Sequence, residues 1–348
     1  MIMKKTVAII FGGCSSEYEV SLVSATSVIR SINKDKYNIL MLGISKNGDF
    51  YLYNGDIDNI EKDEWLNDKD TKKITISSNR SDHGIIILGT NNVIKIDVAF
   101  PVLHGKNGED GRLQGLFELS GIKYVGCDMT SSAICMDKYL AHELVALNGF
   151  LSPISYIFDK KDSLESIINK ICKLRFPLFV KPLKAGSSFG ISKIMSIDEL
   201  NIALEEAFKY DNKVIIEENI DGFEVGCAIL GTNNLIIGEV DEIELEEGFF
   251  NYFEKYNLKT SKIHLPARIS QEERNKIKET ALGIYKVLGC SGFARVDMFY
   301  TKDKKIVFNE VNTIPGCTSH SRYPSMLKEI GISFEDVIDK LIELGLER

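Results

Sequence analysis

Asp297, Glu310 and Asn312 are three hard-oxygen side chains set inside apolar runs, Ala294-Arg295-Val296-Asp297-Met298-Phe299 and Val307-Phe308-Asn309-Glu310-Val311-Asn312. Residues 293–300 and 306–311 are β-rich and flank the turn-like Thr301-Lys302-Asp303-Lys304, so the spacing predicts a hairpin. Residues i and i+2 of a strand face the same way, so Glu310 and Asn312 project together and Asp297 joins them from the partner strand. Such a set suits Mg²⁺, which keeps waters and substrate phosphates in its shell. The plain alternative is a solvated hairpin face. Against it, acids flanked by buried neighbours are costly unless paired or metal-bound.

Other stretches add chemistry in chain order. Gly12-Gly13-Cys14-Ser15-Ser16 separates a predicted strand (6–11) from a predicted helix (17–32). That turn lets a ligand approach backbone amides at a helix N-terminus; it lacks the G-x-G-x-x-G spacing, so no dinucleotide site is read there. Glu19, in the first helical turn, either complements the positive dipole end or binds an amine. His104-Gly105-Lys106-Asn107-Gly108-Glu109-Asp110-Gly111 follows a buried strand at 93–102, at the strand end where α/β sites sit; a lone His is also a common structural residue. Lys138 falls within one predicted helix, 130–147, with Ser131 or Ser132 as N-cap and an apolar face of Ile134, Leu140, Leu144 and Leu147. By itself it reads as a surface lysine. Lys181 follows a strand at 176–180 and enters a stretch carrying Gly186, Ser187, Ser188 and Gly190. No Gly-Lys-Ser/Thr closes this stretch, so it is not a Walker A loop. It folds either as a phosphate-gripping flap or as a hairpin tip without function. Glu217 and Glu218 end a strand at 214–217, and Glu224 lies in another at 223–230; they read as acceptors for an adenine amine and a ribose hydroxyl, or as surface charges. The polar, aromatic residues 246–262 read as a lid.

The elements that hold these groups belong to an ordinary enzyme chain. Its 348 residues suffice for two or three domains, and 44% hydrophobic with 26% charged residues provides a core. A net charge of −8, from 42 basic and 50 acidic side chains, points away from nucleic acid and anionic membrane surfaces. An anion such as ATP must therefore meet a local basic cluster. No run reaches transmembrane length, and the first apolar run reads as a strand rather than a signal segment. Seven scattered cysteines without a C-x-x-C pair read as reduced thiols of a cytoplasmic protein. Residues 37–44 and 50–53 read as strands, 112–120, 271–288 and 333–344 as helices, and 123–125 as a strand closing the first domain. The stretch 54–92, with the only tryptophan, Trp65, reads as an irregular insertion without chemistry.

In order, Gly12-Gly13 with Glu19-Val20-Ser21, His104-Gly-x-x-Gly-Glu-Asp-Gly-x-Leu-Gln-Gly, Met136-Asp137-Lys138, Lys181-Pro-x-x-x-Gly-Ser-Ser-x-Gly, Glu254-Lys255-Tyr256, Arg295-x-Asp297 and Glu310-x-Asn312-Thr-x-Pro-Gly-x-Thr-Ser-His-Ser resemble the D-alanine–D-alanine ligases of the ATP-grasp superfamily. The chain looks most like the D-alanine–D-serine ligases of G-type vancomycin resistance. The resemblance spans nearly the whole chain apart from 54–92. It implies an α/β (α+β) ATP-grasp fold of three domains: a doubly wound N-terminal domain (1–126), a central subdomain with the flap (127–217) and a C-terminal subdomain with the lid and Mg²⁺ site (218–348).

The resemblance further implies an ADP- and phosphate-forming ligase that phosphorylates one D-alanine carboxylate and passes the acyl group to a second amino acid's amine. Two Mg²⁺ ions, for which Mn²⁺ can substitute, would sit on Asp297, Glu310 and Asn312. ATP would meet Lys138, Lys181, Ser187 and Ser188 at its phosphates, Glu217, Glu218 and Ile220 at the adenine, and Glu224 at the ribose. Glu19 would hold the first substrate's ammonium and Lys255 the transferring phosphoryl group. Ser187 and Tyr256 would join flap to lid. Arg295 and the Gly316 amide would face the oxyanion, and Ser321 the second substrate's carboxylate, with His104 nearby.

Departures from the family pattern narrow the acceptor. Arg322 stands where D-alanine-specific ligases usually have leucine, and a buried guanidinium suits a hydroxyl. Phe250 replaces a usual tyrosine, and with Asp241 it matches the serine-specific branch. Glu254-Lys255-Tyr256 argues against D-lactate, whose ligases remodel this region. Glu218 replaces a usual lysine. The expectation is a homodimeric, cytoplasmic ligase joining D-alanine to D-serine, a peptidoglycan precursor that lowers vancomycin affinity. The alternatives are an ordinary D-alanine–D-alanine ligase, a glutathione-synthetase-like ligation, and a nucleotide-binding protein without turnover; fold alone does not separate them.

Overall fold

The run Val7-Ala8-Ile9-Ile10-Phe11 fills the middle of strand β1 (Lys5–Gly12), and all five side chains are fully buried. Near-continuous apolar character marks a strand covered on both faces. Val7, Ile9 and Phe11 point into one core, while Ala8 and Ile10 point into another. The computed structural model describes residues 4–186, 189–245 and 261–348.

Around β1 the chain builds a seven-stranded sheet. α1 (Tyr18–Ser31) leads to β2 (Tyr37–Ile44), which pairs parallel to β1; β3 (Phe50–Tyr53) follows, antiparallel to β2. The short α2 (Asp58–Glu61) precedes β4 (Lys72–Ile76), β5 (Gly84–Ile87) and β6 (Val93–Lys95), and β7 (Val98–Pro101) returns parallel to β1 on its other side. Helix α3 (Arg112–Ser120) adds Leu113 and Phe117 to the core behind Ala8 and Ile10. Gly12 turns the chain out of β1 at φ +87°, where a Cβ would stand 2.2 Å from the Ile44 carbonyl oxygen. That close approach is why the turn is glycine.

Helices α4 (Met129–Met136) and α5 (Lys138–Leu147) precede β8 (Ser155–Asp159), α6 (Leu164–Ile171), β9 (Leu178–Pro182), β10 (Ser192–Ile194), α7 (Leu200–Ala207) and β11 (Lys213–Glu218). These strands form an antiparallel sheet in the order β10-β9-β11-β8. The last sheet, β14-β13-β12-β15-β16, comprises β12 (Gly222–Leu230), β13 (Ile236–Leu245), β14 (Ser261–His264), β15 (Phe293–Thr301) and β16 (Ile306–Asn312). Helix α8 (Gln271–Val287) starts with a Ser270/Glu273 capping box and buries Ile277, Ala281 and Ile284 against that sheet. After α9 (Arg322–Lys328), α10 (Phe334–Glu347) carries Val337, Ile338, Leu341 and Ile342 into the core beneath Val7, Ile9 and Phe11. Among the described residues no helix is long and apolar enough to cross a membrane.

Four local expectations give way. The stretch 54–92 is ordered: β4 and β5 extend the first sheet, and Trp65 is fully buried, edge-on to Phe11 at 5.1 Å, with its indole N–H donating to the Tyr18 hydroxyl at 3.0 Å. The expected strand 93–102 is two strands, and 123–125 makes only a single bridge, Ala99 to Tyr124. The helix expected over 130–147 breaks at Asp137, whose extended backbone ends α4 and whose carboxylate caps α5 by accepting from Leu140 N–H. Asp128, not Ser131 or Ser132, caps α4; Leu140 and Leu147 are exposed, and Ala141 and Val145 form the buried face of α5. The periodicity was read through a break, which shifts the face by one residue.

Candidate active site

Strand parity aims the chemistry. In β9, Leu178 and Val180 enter the core of the four-stranded sheet, so Phe179 and Lys181 face the other way; in β11, Val214 and Ile216 join that core, while Ile215 and Glu217, also buried, face the other way. The Lys181 ammonium and Glu217 carboxylate form a buried ion pair across these two strands. They line a cavity of about 440 Å³ together with Lys138, Glu218, Ile220, Glu224 and Glu310. The second oxygen of Glu217 is buried with no hydrogen-bond partner among the described residues, which leaves it able to accept from an amine. Lys138 is not a surface residue: the break at Asp137 places it in the first turn of α5, 8% exposed, with its ammonium donating to the Ala185 carbonyl at 2.7 Å.

In β15, Ala294, Val296 and Met298 are core, which turns Arg295 and Asp297 toward the opposite side. Asp297 pairs with Glu310 and Arg295 with Asn312, and a bulge follows, with Met298 opposite Phe308. The bulge resets the register: Phe308 and Val311 both reach the core although their spacing is odd, and Glu310 and Asn312 keep one direction. Glu310 lines the first cavity. Asn312 and Arg295 line a second, of about 530 Å³, so β16 is a wall common to both.

Asp297 is 1% exposed and accepts from Arg295 at 2.8 and 2.7 Å and from the Asn312 amide at 2.8 Å. Among the described residues no group of three His, Cys, Asp or Glu side chains is arranged to hold a metal ion. Two carboxylates and an amide fit Mg²⁺ nonetheless, because that ion draws its remaining ligands from phosphate and water. Turning the Asn312 amide about would present its oxygen beside Asp297 and Glu310.

Arg322, at the start of α9, donates through Nε and Nη2 to both oxygens of Asp241 (2.7 and 2.8 Å) and through Nη1 to Glu224 (2.9 Å); Asp297 lies 3.4 Å from Nη2. Asp241 is fully buried. Arg322 lines the second cavity with Gly316 and Ser321, whose hydroxyl accepts from the Thr318 amide at 3.2 Å.

At the far end of that cavity the structure separates two acids. Glu19 is largely exposed and paired with Lys46 at 3.0 Å, on the rim. Glu17, just before α1 begins, is 6% exposed on the cavity wall. Its neighbour Glu109 accepts from the Gly105 and Ile314 amides at 2.7 and 3.0 Å; burial, and then the Glu17 charge, push its carboxyl well above the usual range. The His104 ring meets the Ile314 carbonyl through Nδ1 (3.0 Å) and the Ser24 hydroxyl through Nε2 (3.1 Å). Burial pushes the imidazole down to about 4, so it is neutral at pH 7. His104 thus lines the same cavity as Glu17 and Arg322, held by Ser24 and the Ile314 carbonyl. Glu17 and Glu109 are the acids that sequence reading passed over. Glu109 stands in a quoted motif and Glu17 lies between the two halves of another, but nothing in their spacing distinguishes them from Glu19. Ser187, Ser188, Phe250, Lys255, Tyr256 and nearly all of the expected lid (246–260) lie outside the described residues.

Comparison with known proteins matches this architecture. Residues 6–127 match the family model described as D-ala D-ala ligase N-terminus, and 153–343 the one described as D-ala D-ala ligase C-terminus. The chain is 47% identical over 352 residues to the vancomycin B-type resistance protein VanB of Enterococcus faecalis, covering 99% of each. It is 54% identical in sequence to the crystal structure of the VanG D-Ala:D-Ser ligase from Enterococcus faecalis, with a TM-score of 0.92 over 99% of this chain and 100% of that one. A D-alanine–D-alanine ligase from Bacillus anthracis, solved with ATP, is 31% identical with a TM-score of 0.74, over 99% and 98% of the two chains. Two cavities sharing one carboxylate-bearing strand, in a chain matched by both family models, lead to one assignment: the chain belongs to the D-alanine–D-alanine ligase family and is an ATP-dependent ligase of the ATP-grasp fold.

Proposed function

We propose that the protein joins D-alanine to D-serine through a D-alanyl phosphate, using ATP. The observation that carries this reading is the buried Arg322 at the acceptor cavity, held by Asp241 and Glu224. A guanidinium offers donors to a hydroxyl where an aliphatic side chain offers only packing, and a site built for a hydroxyl discriminates strongly. The likeness to a D-Ala:D-Ser ligase supports it.

ATP lies in the first cavity, its adenine amine on the second Glu217 oxygen beside Glu218 and Ile220, its ribose at Glu224. Lys138 and Lys181 face the phosphates, joined by Ser187, Ser188 and Lys255. Asp297, Glu310 and Asn312 would hold Mg²⁺, which would supply positive charge to neutralise phosphate oxygens. Glu17, rather than Glu19, takes the first D-alanine's ammonium, because only Glu17 is desolvated on the cavity wall. The substrate carboxylate then meets the γ-phosphoryl group, and ADP leaves. Ser321 binds the acceptor's carboxylate while its amine attacks the acyl carbon. Arg295 and the Gly316 amide stabilise the oxyanion, and phosphate departs. Water must be kept from the acyl phosphate, which it would hydrolyse; we assign that task to Tyr256 and Ser187, which lie outside the described residues. The product would serve vancomycin resistance.

One observation favours D-alanine as acceptor instead: Arg322 spends three of its five N–H groups on Asp241 and Glu224, with Asp297 close to another. The test is mass analysis of products from purified protein with ATP, Mg²⁺, and equal D-alanine and D-serine. Mainly D-alanyl-D-serine is expected; mainly D-alanyl-D-alanine overturns the serine reading and leaves the family chemistry intact.

A further inference from the structure

Glu224 and Gly226 lie on one face of β12, because Val225, Cys227 and Ile229 point into the opposite core. A Cβ on Gly226 would stand 2.4 Å from Arg322 Nη2, 2.8 Å from the Asp241 carboxylate and 2.9 Å from Met326 Cε. All three contacts are side-chain atoms that meet at this one gap in the strand. The guanidinium therefore crosses β12 directly over Gly226 and reaches Glu224 two residues along, out of one cavity and into the wall of the other. Beneath it the Gly226 amide donates to Asp241 at 2.9 Å, which fixes the carboxylate that in turn fixes the guanidinium.

We propose that Gly226 is a specificity-determining residue. Its absent side chain lets Arg322 tie the acceptor cavity to the nucleotide cavity through Glu224, so that acceptor choice and nucleotide affinity are coupled. The proposal rests on the assignment of the two cavities made above, and it adds that the acceptor residue also sets the carboxylate facing the nucleotide. Coupling of this kind is reciprocal in binding free energy: nucleotide and acceptor must change each other's affinity by the same factor. The shared element is physical, one guanidinium hydrogen-bonded at both ends, in surroundings dry enough for each bond to be strong.

The test is calorimetric titration of the full chain with ADP and Mg²⁺, which needs no turnover, together with the product ratio from competing D-alanine and D-serine. Gly226→Ala keeps every charge and suits strand backbone; its Cβ displaces the guanidinium most, and with it the Asp241 carboxylate and the Met326 methyl. It is expected to weaken ADP by about fivefold, the low end of site-to-site coupling. Glu224→Gln is expected to weaken ADP as well, and the two together no more than Glu224→Gln alone. Glu224→Gln is also expected to move the product ratio toward D-alanine. If Gly226→Ala misfolds, Arg322→Lys serves, since one ammonium can satisfy Asp241 but cannot span to Glu224. An ADP affinity within about twofold of the parent, or effects of Gly226→Ala and Glu224→Gln that add, overturns the proposal. A parent enzyme that makes only D-alanyl-D-alanine overturns the serine reading instead, and the titration still decides this one.

Discussion

Replacing Arg322 by leucine should cost far more stability than a surface charge would. Arg322 and Asp241 are 8% and 1% exposed at their side chains and meet through two hydrogen bonds, at 2.7 and 2.8 Å. Both ions were desolvated on folding, so their attraction offsets a large burial cost. Arg322→Leu strands the Asp241 carboxylate, which among the described residues keeps the Gly226 amide as its hydrogen-bond donor, whereas Asp297 keeps its two bonds from Arg295. Breaking a buried pair from one side costs about 3–5 kcal/mol. At about 2.1 cal/mol/K of unfolding entropy per residue, 348 residues give roughly 1.4 °C per kcal/mol, so the melting temperature should fall by roughly 4–7 °C. The double change Arg322→Leu with Asp241→Leu removes the stranded charge and should recover most of the loss, since apolar replacements of buried pairs are often neutral. Scanning calorimetry on the three proteins decides the matter. A single variant that melts with the parent refutes the desolvated pairing, and a double variant no better than the single shows that the stranded carboxylate is not the cause.

Three further outcomes follow from the same geometry. Glu17→Gln should raise the KM for the first D-alanine about tenfold or more, the scale of one hydrogen bond between charged groups, while exposed Glu19→Gln stays within about twofold; initial rates at varied D-alanine measure both, and the reverse order would restore Glu19. Asp297→Asn should raise the Mg²⁺ concentration for half-maximal ADP release by at least about tenfold, and an unchanged Mg²⁺ dependence argues against that ligand set. His104 is held down to about 4 by burial while the unfolded chain binds its proton near 6.5; the unfolded state therefore takes up more protons below pH 6.5, and stability falls as pH drops. At pH 5 that amounts to about 2 kcal/mol, so His104→Gln should flatten denaturant midpoints between pH 7 and 5, and a parallel fall in both proteins refutes it.

Much of the site was legible because strands obey a period of two wherever one face is core. The apolar neighbours of Asp297 and Glu310 marked these acids as turned away from a buried face, and the expected hairpin is there, pairing Asp297 with Glu310; the bulge beside them was not legible. Lys181 and Glu217 follow the same parity. Helices were harder. Asp137 is a cap in the middle of an unbroken apolar rhythm, and a rhythm does not show where a backbone turns extended. Trp65 fell in a polar stretch, yet its ring fills the space between Phe11, Tyr51 and Tyr53, partners from other strands.

By itself the amino-acid sequence determined most of the strands that bear the site, the order of the motifs, and the side of those strands that carries charge, since these depend on residues a few positions apart. Only the tertiary structure decided which acid is desolvated and which cation each carboxylate meets. Glu17 and Glu19 are two residues apart, but Glu17 precedes the first helical residue and faces the Glu109 loop, while Glu19 reaches Lys46 at the rim. Arg322 meets Asp241 and Glu224 across 81 and 98 residues of chain. Burial and electrostatic partnership are properties of what packs against a side chain, and packing brings together segments whose separation along the chain carries no signal of their meeting.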